Sequence, residues 1–312
     1  MGARNALRVA REVRRGRPVR RDGRRRSATA VARPRRGGGI EVVAQDGARL
    51  HVIDQRPAHP GADAVLWLQG LNAPAAAWGV QLAHFSRTHR CIAPDARGVG
   101  KSDAPPGPYT TRQLADDALR VLEACEVERA HVVGLSLGGA AAQELALAQP
   151  DRVRSLALLA SFARQAPRSR ALMEAWRALY PAAAQAAPLR EAWEKQAYAW
   201  LFSDAYWRKE AAVRAALRFA SSQPFQSVQG FQGQIDAALA HDAIGRLPSL
   251  RVPTLVAHGA LDQLAPPAGA EEMARLIPGA ELLLVPEVGH AVNLEGQRAV
   301  NAALRALWAR SP

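Results

Sequence analysis

The 312-residue chain has only two cysteines, Cys91 and Cys125, only three lysines, and no long apolar run. One cysteine sits in a strand-like stretch and the other in a helix-like one, so both read as buried thiols and neither a disulfide framework nor a metal site is expected. No stretch approaches the ~18 or more apolar residues needed to cross a bilayer, which excludes a helical membrane span. The pairs Arg14-Arg15 and Arg20-Arg21 are not followed by the roughly 7–15 apolar residues of an export signal, so a cytoplasmic location is expected. What remains is a chain with 48% hydrophobic residues, long enough to bury a substantial core.

The net charge of +13 is concentrated at one end. Residues 1–39 carry fourteen arginines against only Glu12 and Asp22, whereas the rest holds 27 basic and 26 acidic residues. The charge therefore describes a tail, not a nucleic-acid-binding domain, and no specific nucleic acid is expected as a partner. Lacking apolar periodicity, residues 1–39 read as a disordered Arg-rich extension, or as translated upstream sequence. Nonspecific binding to nucleic acid or acidic membrane, or a targeting role, are the other readings of such arginine density.

Beyond Gly39, Glu41 to Gln45 and Arg49 to Asp54 flank Asp46-Gly47, a hairpin signal. Apolar runs at Ala64–Gln69, His89–Pro94, Ala130–Gly134, Val153–Ala160, Thr254–His258 and Glu281–Val285 read as strands. Helical spacing appears over Arg112–Glu123 and Ala140–Gln149. Continuously apolar strands alternating with helices indicate a mostly parallel sheet covered on both faces. About ninety residues between Ser161 and Val252 break the rhythm with helical pattern alone. They hold Trp176, Trp193, Trp200 and Trp207. Residues 162–249 are thus expected to form a helical cap on a core built from 40–161 and 250–312. The same aromatics would also serve simply to pack the insertion onto that core.

The chemistry starts at Gly134-Leu135-Ser136-Leu137-Gly138, where an apolar strand passes straight into a helix. A serine in such a strand-to-helix turn has its hydroxyl pushed out above the sheet, and the flanking glycines let neighbouring backbone pass. The N–H of Leu137 opens the helix, where the helix dipole favours negative charge. On the five residues alone, an inert serine in a tight bend fits equally well. A serine hydroxyl needs a base that is itself oriented by a carboxylate. Gly259-Ala260-Leu261-Asp262 and Pro286-Glu287-Val288-Gly289-His290 supply candidates, each just beyond a strand where open α/β sheets place their sites. Asp262 is better placed than Asp236 or Asp242 in the insertion. His51, His59, His84, His89, His131, His241 and His258 read as structural. The strand ending at Gln69 runs into Gly70-Leu71, so the Leu71 N–H is the partner to that of Leu137.

With these motifs, the chain from Ile40 onward resembles the α/β-hydrolase fold family in its esterase and lactonase branch. The elbow, the acid loop, Gly289-His290 and the stretch Asp95-Ala96-Arg97-Gly98-Val99-Gly100-Lys101-Ser102-Asp103 carry the resemblance. Pro105-Pro106-Gly107-Pro108-Tyr109-Thr110 makes it most similar to 3-oxoadipate enol-lactonases. Many relatives carry His-Gly where this chain has Gln69-Gly70, a change that leaves the backbone donor in place. Asp95 and Arg97 are expected to brace their loop near the elbow. The resemblance implies a serine hydrolase needing no cofactor and no metal, acting on a small-molecule carboxylic ester or lactone. Ser136 would be the nucleophile, His290 the base and Asp262 its orienting acid, with Leu71 and Leu137 N–H groups as the oxyanion hole. Serine at the elbow argues against dehalogenase and epoxide hydrolase chemistry. A C–C bond hydrolase with the same triad and a noncatalytic ligand receptor on the same fold are the alternatives.

Overall fold

A computed structural model describes residues 33–34, 39–57 and 61–311. The expected tail therefore lies outside the described residues except for 33–34 and 39, and so does His59. The strands are β1 (Arg33–Pro34), β2 (Gly39–Val43), β3 (Arg49–Gln55), β4 (Ala64–Leu68), β5 (Arg90–Pro94), β6 (Ala130–Leu135), β7 (Val153–Leu159), β8 (Thr254–Gly259) and β9 (Glu281–Val285). They form one sheet in the order β1-β2-β3-β5-β4-β6-β7-β8-β9. Pairing is antiparallel through β1, β2, β3 and β5, and parallel from β5 to β9. The expected hairpin joins β2 to β3, with Gly47 at φ 89° in its turn and the Ala44 amide donating to the Ala48 carbonyl.

The helices are α1 (Gly79–Phe85), α2 (Thr111–Ala124), α3 (Leu137–Ala148), α4 (Pro167–Gln185), α5 (Ala187–Leu201), α6 (Asp204–Trp207), α7 (Glu210–Ser222), α8 (Val228–Ala240), α9 (Pro267–Leu276), α10 (Val292–Glu295) and α11 (Gln297–Ala309). α2 starts where Thr110 accepts the Gln113 amide with its hydroxyl, an N-cap that satisfies one orphan donor of the first turn.

Alternation along the strands divides the core between the two faces of the sheet. Leu66 and Leu68 of β4 and Val256 of β8 face α2, α3 and α9, which contribute Val121, Leu145 and Met273. Their neighbours Val65, Trp67, Leu255 and Ala257 face α1 and α11, which contribute Leu82, Phe85, Leu304 and Leu307. Each fully buried side chain of this size adds about 1.5–3 kcal/mol relative to exposure. Trp67 anchors the second face, with ring centroids 5.1 Å from Trp78, 5.6 Å from Phe85 and 6.2 Å from Trp308. Cys91 and Cys125 are free and buried, and burial pushes each thiol up to about 11.

Between β7 and β8 run α4 to α8, as the helical pattern anticipates. Their own apolar cluster gathers Met173, Trp176, Tyr180, Trp193, Phe231 and Ile235, with Trp200 half-buried against it. Leu264, just after β8, belongs to this cluster, and Leu71, just after β4, packs against it. The helices therefore lie over the carboxyl ends of the strands. The chain lays β5 on one side of β4 and then β6 on the other, so direction reverses at the β4/β6 pair. That reversal is where an open α/β sheet leaves its crevice. Leu71 and Ser136 follow these two strands.

Candidate active site

Ser136 sits between β6 and α3 at φ 53° and ψ −118°. A non-glycine residue at positive φ is strained by on the order of 1–3 kcal/mol, and surrounding contacts must hold it there. They do so on both sides: the Ser136 amide donates to the Leu159 carbonyl at 2.9 Å, and the Ser136 carbonyl accepts from Ser161 Oγ at 2.9 Å. The glycines of the motif are steric necessities. A Cβ on Gly134 would overlap the Gly138 carbonyl, and one on Gly138 would overlap the carbonyl oxygens of Leu68 and Gln69. The turn can thus tuck against the end of β4 only with hydrogen at these positions.

Gly70 brings the loop after β4 onto the serine. A Cβ there would lie 3.2 Å from Ser136 Cβ and 3.9 Å from its Oγ. Gln69, buried, accepts the Gly70 amide with its own Oε1 at 2.8 Å. Among the described residues, the amides of Leu71 and Leu137 donate to no protein group. Of these two unpaired N–H groups, that of Leu137 directly follows the serine at the first position of a 12-residue helix, and that of Leu71 directly follows Gly70.

Asp262 and His290 meet at 2.8 Å between Oδ2 and Nδ1. Both are buried, and their loops touch: a Cβ on Gly259 would overlap the carbonyls of Val288 and Gly289. Oδ1 of Asp262 accepts the Leu264 and Ala265 amides, each at 2.9 Å. Burial by itself would push this carboxyl up. The His290 charge and the hydrogen bonds from His258 and His290 outweigh it and hold the carboxyl well below the usual range, so it is ionised near neutral pH. With Nδ1 engaged by a carboxylate, the ring presents Nε2 as its basic nitrogen.

His258, expected to be structural, also reaches the acid. Its Nε2 lies 3.0 Å from Asp262 Oδ2 and 2.6 Å from the Ala265 carbonyl, while its Nδ1 is buried without a partner. It donates to the acid loop from beneath. The backbone around His290 is held by the helical segment: the Ala291 amide donates to the Leu201 carbonyl, and Glu295 accepts the amides of Gly289 and Ser203.

Asp95 and Arg97 are braces, as expected. Asp95 accepts the amides of Ala75 and Lys101 at 2.7 and 2.8 Å. Arg97, 2% exposed, holds Asp117 at 2.6 and 2.7 Å and Asp46 at 2.8 Å. The other histidines have structural partners where these are defined. His131 bonds Ser155 and burial lowers its ring to about 4, and His241 bonds Thr111. Among the described residues no three His, Cys, Asp or Glu side chains gather as a group that could hold a metal ion, and no helix is long and apolar enough to cross a membrane.

The chain is similar to known proteins. A candidate carbamate hydrolase, RutD, of Azorhizobium caulinodans is 31% identical over 75% of this chain and 87% of its own length. The 2-hydroxymuconate semialdehyde hydrolase of Pseudomonas putida is 30% identical over 82% of this chain and 89% of its own. The crystal structure of the enol-lactonase from Burkholderia xenovorans LB400 superposes with a TM-score of 0.75 at 27% identity, covering 85% of this chain and 98% of that one. The family model for the alpha/beta hydrolase fold matches residues 63–297, and the chain belongs to that family.

Proposed function

We propose that this member of the α/β-hydrolase fold family is a serine hydrolase that cleaves a small carboxylic ester or lactone through an acyl-enzyme on Ser136. The observation that carries the reading is the 2.8 Å bond between His290 Nδ1 and an Asp262 carboxylate held ionised by its surroundings. That bond fixes the imidazole tautomer. His290 Nε2 then takes the Ser136 proton as Oγ attacks the carbonyl carbon, and Asp262 stabilises the imidazolium. The carbonyl oxygen becomes an oxyanion received by the Leu71 and Leu137 amides, and losing one such donor typically costs ~10²–10³ in rate. His290 returns the proton to the leaving oxygen. It then removes a proton from water as the water attacks the acyl carbon, and passes that proton to Ser136 Oγ as the acyl–oxygen bond breaks and the acid is released. In a lactone, the leaving oxygen stays attached to the acyl chain, so a single hydroxy acid departs.

The segment 162–249 acts as a cap: its apolar cluster, joined by Leu71 and Leu264, walls the site from above. A second reading is favoured by the semialdehyde hydrolase relative, namely hydrolysis of a C–C bond beside a ketone with the same side chains. The enol-lactonase neighbour favours the lactone reading. The test is Ser136→Ala against a short p-nitrophenyl ester, a panel of lactones and a β-diketone. Loss of ester and lactone turnover in a folded variant is expected. Unchanged turnover sinks the nucleophile assignment, and wild-type preference for the diketone selects the second reading.

A further inference from the structure

Gln234, on α8, is fully buried, and both ends of its amide are engaged by backbone. Its Oε1 accepts the Asn72 amide at 3.0 Å, and its Nε2 donates to the Arg97 carbonyl at 3.0 Å. Asn72 directly follows Leu71 and sits at φ 59°, a left-handed conformation that asparagine tolerates better than most residues but that still needs holding. The partner of Gln234 is thus the peptide next to the one whose N–H serves the oxyanion in the proposed reaction.

A second, independent feature makes this reach possible. α8 approaches the Asp95–Ser102 loop backbone to backbone. A Cβ on Gly230 would overlap the Gly98 carbonyl, and one on Gly98 would stand 2.7 Å from Gly230 Cα. One turn on, a Cβ on Gly233 would lie 2.6 Å from the Tyr109 ring. Gly230 and Gln234 are four residues apart, hence on one face of the helix. The glycines admit the helix, and the glutamine then reaches between two loops. Arg97 is itself fixed by Asp117 and Asp46, so Gln234 ties the loop after β4 to an ion-paired anchor.

We infer that Gln234 is a positioning residue for the oxyanion hole: this cap side chain sets the direction of the Leu71 N–H by gripping Asn72 against Arg97. The inference rests on the serine hydrolase reading and adds to it that the cap supplies part of the geometry of the reaction, not only a wall. The consequence follows from where the hydrogen bond acts. A displaced oxyanion donor weakens binding of the tetrahedral species more than binding of the planar substrate, so kcat falls while KM holds.

The experiment compares wild type, Gln234→Met, Gln234→Glu and Ser136→Ala on a p-nitrophenyl ester, with fluorophosphonate titration of active sites. Affinity for an alkylboronic acid, which places a tetrahedral oxygen in the same hole, is measured alongside. Gln234→Met removes both hydrogen bonds at similar volume, and kcat is expected to fall about tenfold per titrated site. KM should change less than twofold, and boronate affinity should fall in proportion to kcat. Gln234→Glu keeps an oxygen opposite the Asn72 amide but loses the donor to the Arg97 carbonyl, and is expected to recover only part of the loss. A purely structural role would lower the titratable fraction or raise KM without a matching loss of boronate affinity, and that result overturns the inference. So does a Gln234→Met enzyme within twofold of wild type in both kcat and boronate affinity. If Ser136→Ala retains turnover, the underlying reading fails; if only the Gln234 results come out wrong, the positioning role alone fails.

Discussion

Replacing Asp262 by asparagine keeps the shape of the side chain while removing its charge and one acceptor. The structure dictates how the new amide must sit. Oδ1 of Asp262 faces two backbone donors that cannot move, the Leu264 and Ala265 amides at 2.9 Å. The oxygen of the substituted amide must stay with them, which puts its NH2 where Oδ2 faces His290 at 2.8 Å and His258 at 3.0 Å. An NH2 cannot accept from His290 Nδ1–H, so the ring is expected to shift its proton to Nε2, the nitrogen that must accept from Ser136. The base is then present but in the wrong tautomer. Equivalent substitutions in Ser-His-Asp enzymes cost about 10⁴ in kcat, equivalent to roughly 5.5 kcal/mol of transition-state stabilisation. Asp262→Ala would be a poorer probe, because it strands buried donors at about 1–3 kcal/mol each and confounds folding with chemistry. The assay is steady-state hydrolysis of a p-nitrophenyl ester at about pH 7.5, with thermal unfolding to verify the fold. A kcat about 10⁴ below wild type with KM little changed is expected. A folded Asp262→Asn enzyme with kcat within tenfold of wild type refutes the reasoning.

Arg97→Met leaves Asp117 buried without its partner, and breaking such a pair typically costs about 3–5 kcal/mol, read as a lower denaturation midpoint. A midpoint unchanged within error would show that the loop does not depend on this arginine. Glu144 on α3 takes two hydrogen bonds from Arg246 at 2.6 Å, and His241 lies 3.5 Å away. Burial would raise its carboxyl, but the Arg246 and His241 hydrogen bonds prevail and hold it at about 2 against an ordinary 4.5. Because the folded value is depressed, its contribution is full above pH ~4.5 and is lost as pH falls toward 2, on the order of 3 kcal/mol. Glu144→Gln should therefore be less stable at neutral pH and show a shallower loss of stability between about pH 4.5 and 2. An acid dependence as steep as that of wild type contradicts the assignment.

The features legible in the sequence are those whose cause is local. The hairpin at Asp46-Gly47 appears as expected, and the strand ends at Gly134, Gly259 and Val285 deliver Ser136, Asp262 and His290 to one edge of the sheet. Contiguous apolar runs and turn residues carry that information along the chain, to within the one residue by which β6 runs past Gly134 to Leu135. The contacts that could not be read span long sequence separations. Gln234 reaches back 162 residues to Asn72, and Glu144 is met 102 residues later by Arg246. No periodicity marks a polar residue that will be buried by a distant partner. The one available hint is the Gly230 and Gly233 pair within a helical pattern, where glycine weakens the helix and signals close approach of another backbone. The His258–Asp262 contact escapes the sequence for a different reason: a histidine closing an apolar strand has the same pattern whether or not its ring turns toward the next loop.

Every step of the proposed chemistry depends on Ser136 being the activated nucleophile of this fold. Mass spectrometry of the protein after reaction with a fluorophosphonate reads that dependence without intermediaries. One adduct per chain is expected, mapped to Ser136, formed in step with loss of esterase turnover and absent from Ser136→Ala. An intact protein mass unchanged after prolonged exposure, or an adduct mapped to another residue while turnover disappears, would contradict it.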